Sequence, residues 1–212
     1  MHFSRSDAFE VHDLGRTDYG TADRLMMERL DSILKGEAPD QLLIAEFEPV
    51  LTVGRGGSAE AYRSLGLPVH EIARGGKTTF HGPGQLVAYP LIQLQEGARD
   101  LHAYLHALEE ALIRCVGDFG LEGTRDPRNT GCWISGRKVA SIGVAVRRWT
   151  TYHGVALNVD TDLSWFRRFD PCGLEPDLMT TMSRELDGVT PPLDAVRKSL
   201  AKHMEEILRE QS

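Results

Sequence analysis

The stretch from Arg74 to Pro90 contains four glycines and two prolines around His81 and two cationic side chains. The interior of a helix or strand tolerates such a composition poorly, because both residue types weaken regular backbone structure. Glycines also allow positive φ and let a ligand approach bare amides. The composition therefore predicts an irregular segment around a small molecule, with a plain surface loop as the alternative.

Composition limits the class of protein. With 212 residues, 41% of them hydrophobic, the chain can bury one substantial core, so we expect a single domain over residues 1–212. The formal net charge of −7 argues against nucleic-acid binding, because neutralising phosphates requires a basic face. Met1–Glu10 mixes charges, and no apolar run reaches membrane-spanning length. We therefore expect a cytoplasmic protein that does not associate with membranes.

Three cysteines occur, Cys115, Cys132 and Cys172. An odd number without Cys-x-x-Cys spacing argues against a disulfide framework or a zinc ribbon, so we expect no metal site. Cys115 falls on the apolar stripe of a helix and Cys132 begins a strand, where buried thiols are the ordinary interpretation. Cys172 lies between Pro171 and Gly173, in a turn that suits a nucleophile, with an inert loop cysteine as the alternative.

Local patterns predict a mixture of helices and strands. Helices are expected at Tyr19–Lys35, from Leu101 to the region Gly117–Gly120, and from Thr190–Pro191 onward. Strands are expected at Leu42–Phe47, Val50–Val53, Trp133–Ile134, Lys138–Val146 and Tyr152–Val159. The turn Ser135–Arg137 predicts a hairpin between the third and fourth of these strands.

Lys138 begins one of the predicted strands. Period-two alternation places it on the apolar face that also carries Ala140, Ile142, Val144 and Val146. A lysine on that face is desolvated, which disfavours its ammonium form and suits it to taking and giving protons. The alternative is that Lys138 emerges at the strand end and extends into water.

Four segments together resemble the lipoyl(octanoyl) transferases and follow the order of that family. They are Arg74–Pro90, Gly136–Gly143, His153–Val159 and Pro171–Gly173. The resemblance covers the chain from the first helix to about Ser183. Ser141 stands where alanine is expected and Val155 where a bulkier aromatic residue is expected, and both differences would reshape an acyl pocket slightly.

The resemblance implies a reaction and its partners. These enzymes move an octanoyl group from octanoyl-acyl carrier protein to a lysine of lipoyl domains, in 2-oxoacid dehydrogenase complexes and the glycine cleavage H protein. Cys172 would form a thioester with the acyl group and Lys138 would shuttle protons. No ATP or other cofactor is implied. The implied fold is α+β, with mixed sheets flanked by helices as in the catalytic domains of lipoate and biotin protein ligases.

The resemblance also implies substrate-binding residues. The glycine-rich segment would border the acyl chain and present backbone N–H groups to the thioester oxygen, while small residues on two strands would leave a tunnel for eight carbons. The residues so assigned are Arg74, Gly75, Gly76, Lys77, Thr78, Thr79, Phe80, His81, Ser141, Ile142, Gly143, Gly154, Val155 and Ala156. His81 is either a second acid–base group or a residue that orients the loop. The pairs Arg147–Arg148 and Arg167–Arg168 are candidates for docking acidic carrier proteins.

Other functions remain open from the sequence. The main alternative is an ATP-dependent lipoate-protein ligase of the same fold, whose lysine holds the acid and which needs no cysteine. The presence of Cys172 favours the transferase. A non-catalytic carrier-binding domain is a second alternative, and a cysteine amidase or protease is a third, although no convincing Cys-His-Asn order accompanies Cys172.

Overall fold

A computed structural model of the protein describes residues 3–4, 6, 8–169 and 175–209. The helices are α1 (Tyr19–Lys35), α2 (Leu101–Gly117), α3 (Met182–Glu185) and α4 (Leu193–Arg209). The strands are β1 (Phe9–Thr17), β2 (Asp40–Phe47), β3 (Val50–Val53), β4 (Val69–Glu71), β5 (Thr78–His81), β6 (Gln85–Leu91), β7 (Gly131–Ile134), β8 (Arg137–Arg147) and β9 (Thr150–Asn158). Short 3₁₀ helices lie at Ala59–Leu65, Glu96–Ala98, Leu163–Arg168 and Pro176–Leu178.

The strands form two sheets. The large sheet has the order β1-β2-β6-β9-β8-β7, and the small sheet has the order β4-β3-β5. In the large sheet β1 and β2 are parallel and the other neighbouring strands are antiparallel. In the small sheet β3 runs parallel to β4 and antiparallel to β5. Both sheets are therefore mixed, which confirms the expected α+β fold class.

Helices cover both faces of the large sheet. On one face, α2 and α4 contribute to the α2–α4 core, which includes Leu42 and Ile44 of β2. On the other face, α1 contributes to the α1 core, which includes Leu43 and Ala45 of the same strand. Because β2 is buried on both faces, it is a continuous hydrophobic run rather than an alternating pattern.

The first two helices begin and end where the sequence predicts. Asp18 caps α1 by accepting a hydrogen bond from the Thr21 N–H at 2.9 Å, and Gly36 ends it in the left-handed conformation with φ +75°. Asp100 caps α2 by accepting from the His102 and Ala103 N–H groups. No helix in the described part of the chain is both long and apolar enough to cross a bilayer.

The glycine-rich stretch is more regular than its composition predicts. The prediction of an irregular segment is wrong for β5 and β6, which occupy much of Arg74–Pro90. Pro90 is tolerated in β6 because the pairing with β9 covers only Gln85–Ala88, so its missing N–H interrupts no ladder on that side. Tertiary burial of β6 between β2 and β9 outweighs the weak local preference.

Two further differences have local causes. β1 was not predicted, because its register shifts between Asp13 and Arg16 and this bulge disrupts the alternation of apolar residues. The last helix begins at Leu193 rather than at Thr190–Pro191. The Pro192 carbonyl accepts from the N–H groups of Ala195 and Val196, and so provides the first helical hydrogen bonds.

Candidate active site

A cavity of about 430 Å³ lies between one face of the paired strands β8 and β9 and the segment that leads into β5. We refer to it as the β8–β9 cavity. Its lining comprises Ile72, Arg74, Gly75, Gly76, Lys77, Thr79, His81, Val87, Tyr89, Pro127, Arg128, Asn129, Thr130, Lys138, Ser141, Ile142, Gly143, His153, Gly154, Val155 and Ala156. This volume lies within the range of small-molecule sites. The structure thus brings together segments that are far apart in the sequence.

Two residues assigned to substrate binding lie outside this lining. Along β5, Thr79 and His81 face the cavity, whereas Thr78 and Phe80 point to the opposite face because side chains alternate along a strand. Phe80 stacks on Trp165 with ring centroids 5.3 Å apart. Thr78 is buried beside Gly57. The other twelve assigned binding residues line the cavity together with Lys138.

A β-bulge turns Lys138 into the cavity. Cys132 pairs with Ala140 and Trp133 with Lys138, so Val139 is an extra residue on β8. Val139 and Ala140 therefore both belong to the α2–α4 core, and Lys138 lines the cavity instead. The sequence placed Lys138 on the face of Ala140, and this was wrong because a bulge shifts the phase of a strand by one residue.

Lys138 is only 2% exposed. Its Nζ donates a hydrogen bond to the amide oxygen of Asn129 and lies 5.9 Å from the centre of the Trp133 ring. Gly131 leaves space for it, because a Cβ there would lie 2.7 Å from Lys138 Cε. The expectation of a desolvated lysine is confirmed, and the alternative of a strand-end lysine in water is excluded. Asn129 has no distinctive motif and was missed by the sequence analysis.

Cys172 falls within residues 170–174, outside the described residues. The described chain resumes at Glu175, and Met179 forms a parallel bridge with Lys138. The Thr180 N–H donates to the Lys138 carbonyl at 3.0 Å. The segment that follows Cys172 in the sequence is therefore joined to the backbone of Lys138.

The other two cysteines are buried, as the sequence predicts. Cys115 lies on the inner face of α2 and Cys132 in β7, and both belong to the α2–α4 core. Burial raises the pKa of each thiol to about 12. Neither thiol forms the thiolate readily near neutral pH, so both lack the main property of a nucleophilic cysteine.

A chain of hydrogen bonds holds the glycine-rich wall of the cavity. Arg74 Nη2 donates to the Thr52 carbonyl at 2.9 Å and to Thr52 Oγ1 at 3.1 Å. The Thr52 hydroxyl donates to His81 Nε2 at 3.3 Å. His81 Nδ1–H then donates to Gln85 Oε1 at 2.6 Å, since an amide oxygen only accepts. Each donor in this chain is matched to an acceptor.

The same chain continues toward Lys138. Gln85 Nε2 donates to Asn158 Oδ1 at 2.8 Å, and Asn158 Nδ2 donates to the Thr180 carbonyl at 3.1 Å. The Thr180 backbone is in turn bonded to Lys138. Buried side-chain hydrogen bonds therefore connect Arg74, on the glycine-rich wall of the cavity, with Lys138 on β8.

His81 is held in the neutral state. Both ring nitrogens are hydrogen-bonded, and burial together with the charge of Arg74 lowers its pKa to about 4. A group that is neutral and engaged at both nitrogens does not exchange protons readily near pH 7. Of the two roles considered for His81, orientation of the glycine-rich segment is therefore favoured over acid–base catalysis.

The backbone amides of the glycine-rich segment are partly engaged. The Gly75 N–H donates to the Val144 carbonyl at 3.2 Å. It is therefore unavailable to a thioester oxygen, contrary to the expectation that this amide faces the substrate. The bond instead joins the segment to β8.

Two glycines of the strand pair are required by packing. A Cβ on Gly154 would lie 2.2 Å from the Ala88 carbonyl oxygen, and one on Gly143 would lie 2.8 Å from Arg74 Cδ. Gly154 thus allows β9 to approach β6, while Gly143 makes room for Arg74. These glycines shape the cavity because they let the Ala88 carbonyl and the Arg74 side chain pack closely against the two strands.

His153 was not singled out from the sequence. It is 3% exposed and has a left-handed backbone with φ +54°. Its ring lies 5.8 Å from that of Tyr89 and 5.0 Å from that of Tyr152, and its Nδ1 has no hydrogen-bond partner among the described residues. Burial, with the charge of Arg74, lowers its pKa to about 3. His153 therefore presents a neutral imidazole to the cavity.

The two arginine pairs proposed for docking are exposed, and most of their members have partners within the chain. Arg147 lies 3.0 Å from an Asp31 oxygen and Arg167 lies 2.8 Å from an Asp177 oxygen. The Arg168 guanidinium is 4.2 Å from the centre of the Trp165 ring. An acidic partner would compete with these exposed contacts, which are weak in water.

The described residues contain no group of three or more His, Cys, Asp or Glu side chains arranged to hold a metal ion. The β8–β9 cavity offers the buried amine of Lys138, the guanidinium of Arg74 and the neutral imidazoles of His81 and His153.

Residues 18–205 match the family of the lipoyl protein ligase A/B catalytic domain. The chain is 45% identical to the octanoyltransferase of Geobacter metallireducens over 200 residues, which cover 94% of this chain and 93% of that protein. It is 46% identical to the octanoyltransferase of Rubrobacter xylanophilus over 214 residues, with 96% of both chains covered.

Solved structures share the fold at low sequence identity. A bipartite lipoate protein ligase from Thermoplasma acidophilum, studied with its E2 lipoyl domain, has a TM-score of 0.72 at 18% identity, covering 98% of this chain and 84% of that one. The biotin protein ligase of Aquifex aeolicus has a TM-score of 0.54 at 13% identity, covering 95% and 69%. These similarities confirm the expected lipoate and biotin ligase-like fold, and together with the closer relatives they establish that the chain belongs to the lipoyl protein ligase A/B catalytic domain family, as an octanoyltransferase member.

Proposed function

We propose that this chain is a single catalytic domain that transfers an octanoyl group from octanoyl-acyl carrier protein to a lysine of a lipoyl domain, through a thioester on Cys172. The observation that carries the mechanism is the buried amine of Lys138 at one end of a cavity of about 430 Å³. Octanoyl transfer itself accords with relatives of 45% and 46% identity that are named octanoyltransferases.

In the first half-reaction, Cys172 Sγ attacks the thioester carbonyl of the donor. Lys138 takes the thiol proton, the bond between the carbonyl carbon and the pantetheine sulfur breaks, and Lys138 returns the proton to that sulfur. One thioester replaces another, so the step is close to neutral in free energy. The burial of Lys138 supports this role, because desolvation disfavours an ammonium ion relative to the amine.

In the second half-reaction, the lysine amine of the lipoyl domain attacks the acyl-enzyme. The new C–N bond replaces the bond between the acyl carbon and Cys172 Sγ. Lys138 accepts the proton released by the amine and passes it to Sγ, which regenerates the thiol. An amide is more stable than a thioester, so this step runs downhill without ATP. A lipoyl domain is also the partner of the T. acidophilum ligase that shares the fold.

The proposed nucleophile is chosen by comparing the surroundings of the three cysteines. Cys115 and Cys132 are buried in the α2–α4 core with raised pKa values, which leaves Cys172 as the cysteine proposed to react. Met179, seven residues further along the chain, is bridged to Lys138, and this supports a site shared by Cys172 and Lys138. A cytoplasmic location, where acyl carrier protein would be met, stays a prediction.

Intact-protein mass spectrometry tests the mechanism. After incubation with octanoyl-acyl carrier protein and no ATP, we expect one octanoyl adduct on the wild type, which is lost when a lipoyl domain is added. Cys172→Ala should form no adduct, whereas the matched variants Cys115→Ala and Cys132→Ala should retain it.

Three results would contradict the proposal. An adduct on Cys172→Ala would place the acyl group elsewhere. Transfer that requires ATP and free octanoate would instead identify an ATP-dependent lipoate-protein ligase, whereas carrier binding without acylation would indicate a non-catalytic binding domain.

A further inference from the structure

The segment between α2 and β7 supplies a hydrogen-bond acceptor for Lys138. Asn129 lies in this segment and lines the β8–β9 cavity, and its amide oxygen accepts a hydrogen bond from Lys138 Nζ. The lysine is 2% exposed, so this contact forms where bulk water cannot replace it. The contact therefore bears directly on the direction and the charge of the amine.

The backbone of Asn129 is held on both sides. Its carbonyl accepts a hydrogen bond from the indole N–H of Trp133 at 2.9 Å, and Trp133 is the residue of β7 that pairs with Lys138. Its N–H donates to the Asp126 carbonyl at 3.4 Å. The Asp126 carboxylate closes this turn by accepting from the backbone N–H and the guanidinium of Arg128. The Asn129 side chain therefore starts from a fixed backbone position.

A second anchor holds the same segment against the lysine. The Gly131 N–H donates to Glu109 Oε1 of α2 at 3.0 Å, and Glu109 is only 5% exposed. A hydrogen bond to a buried carboxylate is among the stronger kinds. A Cβ on Gly131 would lie 2.7 Å from Lys138 Cε, so the backbone of the segment lies directly beside the lysine side chain. Helix α2 thus fixes the segment that carries Asn129 relative to Lys138.

The acceptor is uncharged, and this matters for a group that exchanges protons. An amide oxygen accepts from an ammonium ion and from a neutral amine alike. A neutral amine that donates one N–H to Asn129 keeps its lone pair and can still take up a proton. A carboxylate in the same place would favour the ammonium ion, because an opposite charge nearby stabilises the charged form. An amide therefore orients the amine without fixing its charge.

We propose that Asn129 is a positioning residue for Lys138, which orients the amine at the cavity and leaves it able to gain and lose a proton. This inference rests on the proposed octanoyl transfer with Lys138 as the proton shuttle, and adds a residue on which that shuttle depends. Asn129 acts through the lysine and needs no contact with the acyl group.

Other charged and titratable groups surround Lys138 and contribute to its protonation. They are Arg128 in the segment of Asn129, Glu109 of α2 with its partners Arg125 and His106, the Arg137–Glu185 pair, the exposed Arg167–Asp177 pair near Met179, the cavity residues Arg74, Lys77, His81 and His153, and the proposed nucleophile Cys172. None of them is replaced by a substitution at Asn129. A change of charge at this one position can therefore be detected in the pH dependence of the reaction.

The variant Asn129→Asp tests the inference through the pH profile of kcat/KM, measured with a small octanoyl thioester so that carrier docking does not contribute. The carboxylate has the size of the amide and accepts the same hydrogen bond, but it favours the protonated form of the coupled pair Cys172 and Lys138. We expect the acid limb to move to higher pH by about one to three pH units. Activity should recover toward the wild-type value above the new midpoint.

The matched control is Gln93→Glu, which makes the same change from amide to carboxylate at a residue outside the cavity lining. Its pH profile should be that of the wild type. A shift in this control as large as that in Asn129→Asp would overturn the inference, because the effect would then not depend on contact with Lys138.

The variant Asn129→Leu removes the acceptor without adding charge. Its side chain has a similar size but cannot hold the amine in one direction, so we expect kcat to fall roughly 100-fold. The acid limb should not move to higher pH, because no negative charge is introduced. Near-normal kcat in this variant would show that Lys138 needs no positioning by Asn129.

The profile of folded Asn129→Asp decides between the alternatives. A wild-type profile would exclude an interaction with the amine, and an equal loss at every pH would indicate a structural role, so either result overturns the inference. If the wild type itself forms no octanoyl adduct, the proposed function fails together with this inference. Normal transfer by the wild type with no shift in Asn129→Asp removes only the role of Asn129.

Discussion

Arg74 and Lys138 are two buried cations on the same cavity, and their surroundings differ. Arg74 is 6% exposed, and its guanidinium donates to the Thr52 carbonyl, the Thr52 hydroxyl and the Gly75 carbonyl at 2.9 to 3.1 Å. Lys138 is 2% exposed, and its amine donates to the side chain of Asn129. The guanidinium is thus held mainly by backbone carbonyls, and the amine by a side chain from the segment before β7.

The difference indicates two kinds of function. A guanidinium stays charged and offers a planar set of donors, so Arg74 suits the task of fixing a wall in place. A lysine amine gains and loses protons more readily, particularly when desolvated, so Lys138 suits proton transfer. The cavity therefore assigns structural support to Arg74 and proton transfer to Lys138, although both residues are basic and buried.

Substitution of Lys138 by arginine should have the largest effect. Lys138→Arg keeps a cation but removes a usable proton acceptor, so we expect kcat for octanoyl transfer to fall by roughly 100- to 10,000-fold. Lys138→Met is a second variant, because it also removes the proton acceptor but does not introduce the larger guanidinium. A similar loss in both variants would show that the missing proton acceptor, and not steric misfit, lowers the rate. Rates measured with purified donor and lipoyl domain should be unchanged in the control Lys198→Arg, an exposed residue of α4 that pairs with Asp194. Near-normal turnover in Lys138→Arg would leave the lysine with a structural role only.

The reciprocal change, Arg74→Lys, should mainly affect stability. An ammonium cannot reproduce the planar contacts to Thr52 and Gly75, so we expect the free energy of unfolding to fall by about 3 kcal/mol, from the loss of hydrogen bonds to a charged group. Urea denaturation monitored by circular dichroism measures this change. The prediction is contradicted if Arg74→Lys has the same free energy of unfolding as the wild type and loses as much kcat as Lys138→Arg.

Acid should lower the free energy of unfolding by protonating His81, which is hydrogen-bonded to Thr52 and so linked to Arg74. The pKa of His81 in the folded protein is about 4, below its ordinary value of 6.5, so the unfolded chain binds the proton first as the pH falls. This contribution to stability is present above about pH 6.5 and is lost between pH 6.5 and 4. At pH 5 we expect a loss of about 2 kcal/mol relative to pH 8.

The variant His81→Gln isolates this contribution. It should show a shallower loss of unfolding free energy over the same pH range, whatever its stability at pH 8. Urea midpoints at several pH values measure the slope, and parallel curves for the two proteins would show that His81 is not the responsible group.

Screening of surface charge should produce the smallest effect. If Arg147–Arg148 and Arg167–Arg168 dock an acidic carrier, 1 M salt should lower kcat/KM for the carrier-bound donor several-fold, because screening shortens to about 3 Å. A small octanoyl thioester should respond little. Charge reversal at either pair should reproduce the defect for the carrier alone. Equal responses of both donors would place carrier recognition elsewhere, at the rim around Lys77 or on apolar surface.

Local signals in the sequence predict the elements with short-range causes. The Asp18 cap and the Gly36 stop define α1, and the stripe through Leu108 and Cys115 defines the buried face of α2. The strands of the glycine-rich stretch were not predicted, because β5 and β6 depend on their neighbours in the sheets rather than on propensity. Lys138 and twelve of the fourteen residues assigned to binding line the cavity, whereas its further lining residues Asn129, Tyr89 and His153 were not predicted from the sequence.

By itself the sequence determined the family, the bounds of the first two helices and the burial of the thiols at 115 and 132, whereas the role of Cys172 stays a proposal. These properties depend on residues close together in the chain or on motifs in a fixed order. Only the tertiary structure decided which side of β8 carries Lys138, because the bulge at Val139 is defined by pairing with β7. It also decided how the hydrogen bonds around His81 reach the strand that carries Lys138, since Gln85 and Asn158 are 73 residues apart and their hydrogen bond requires β6 and β9 to be paired first.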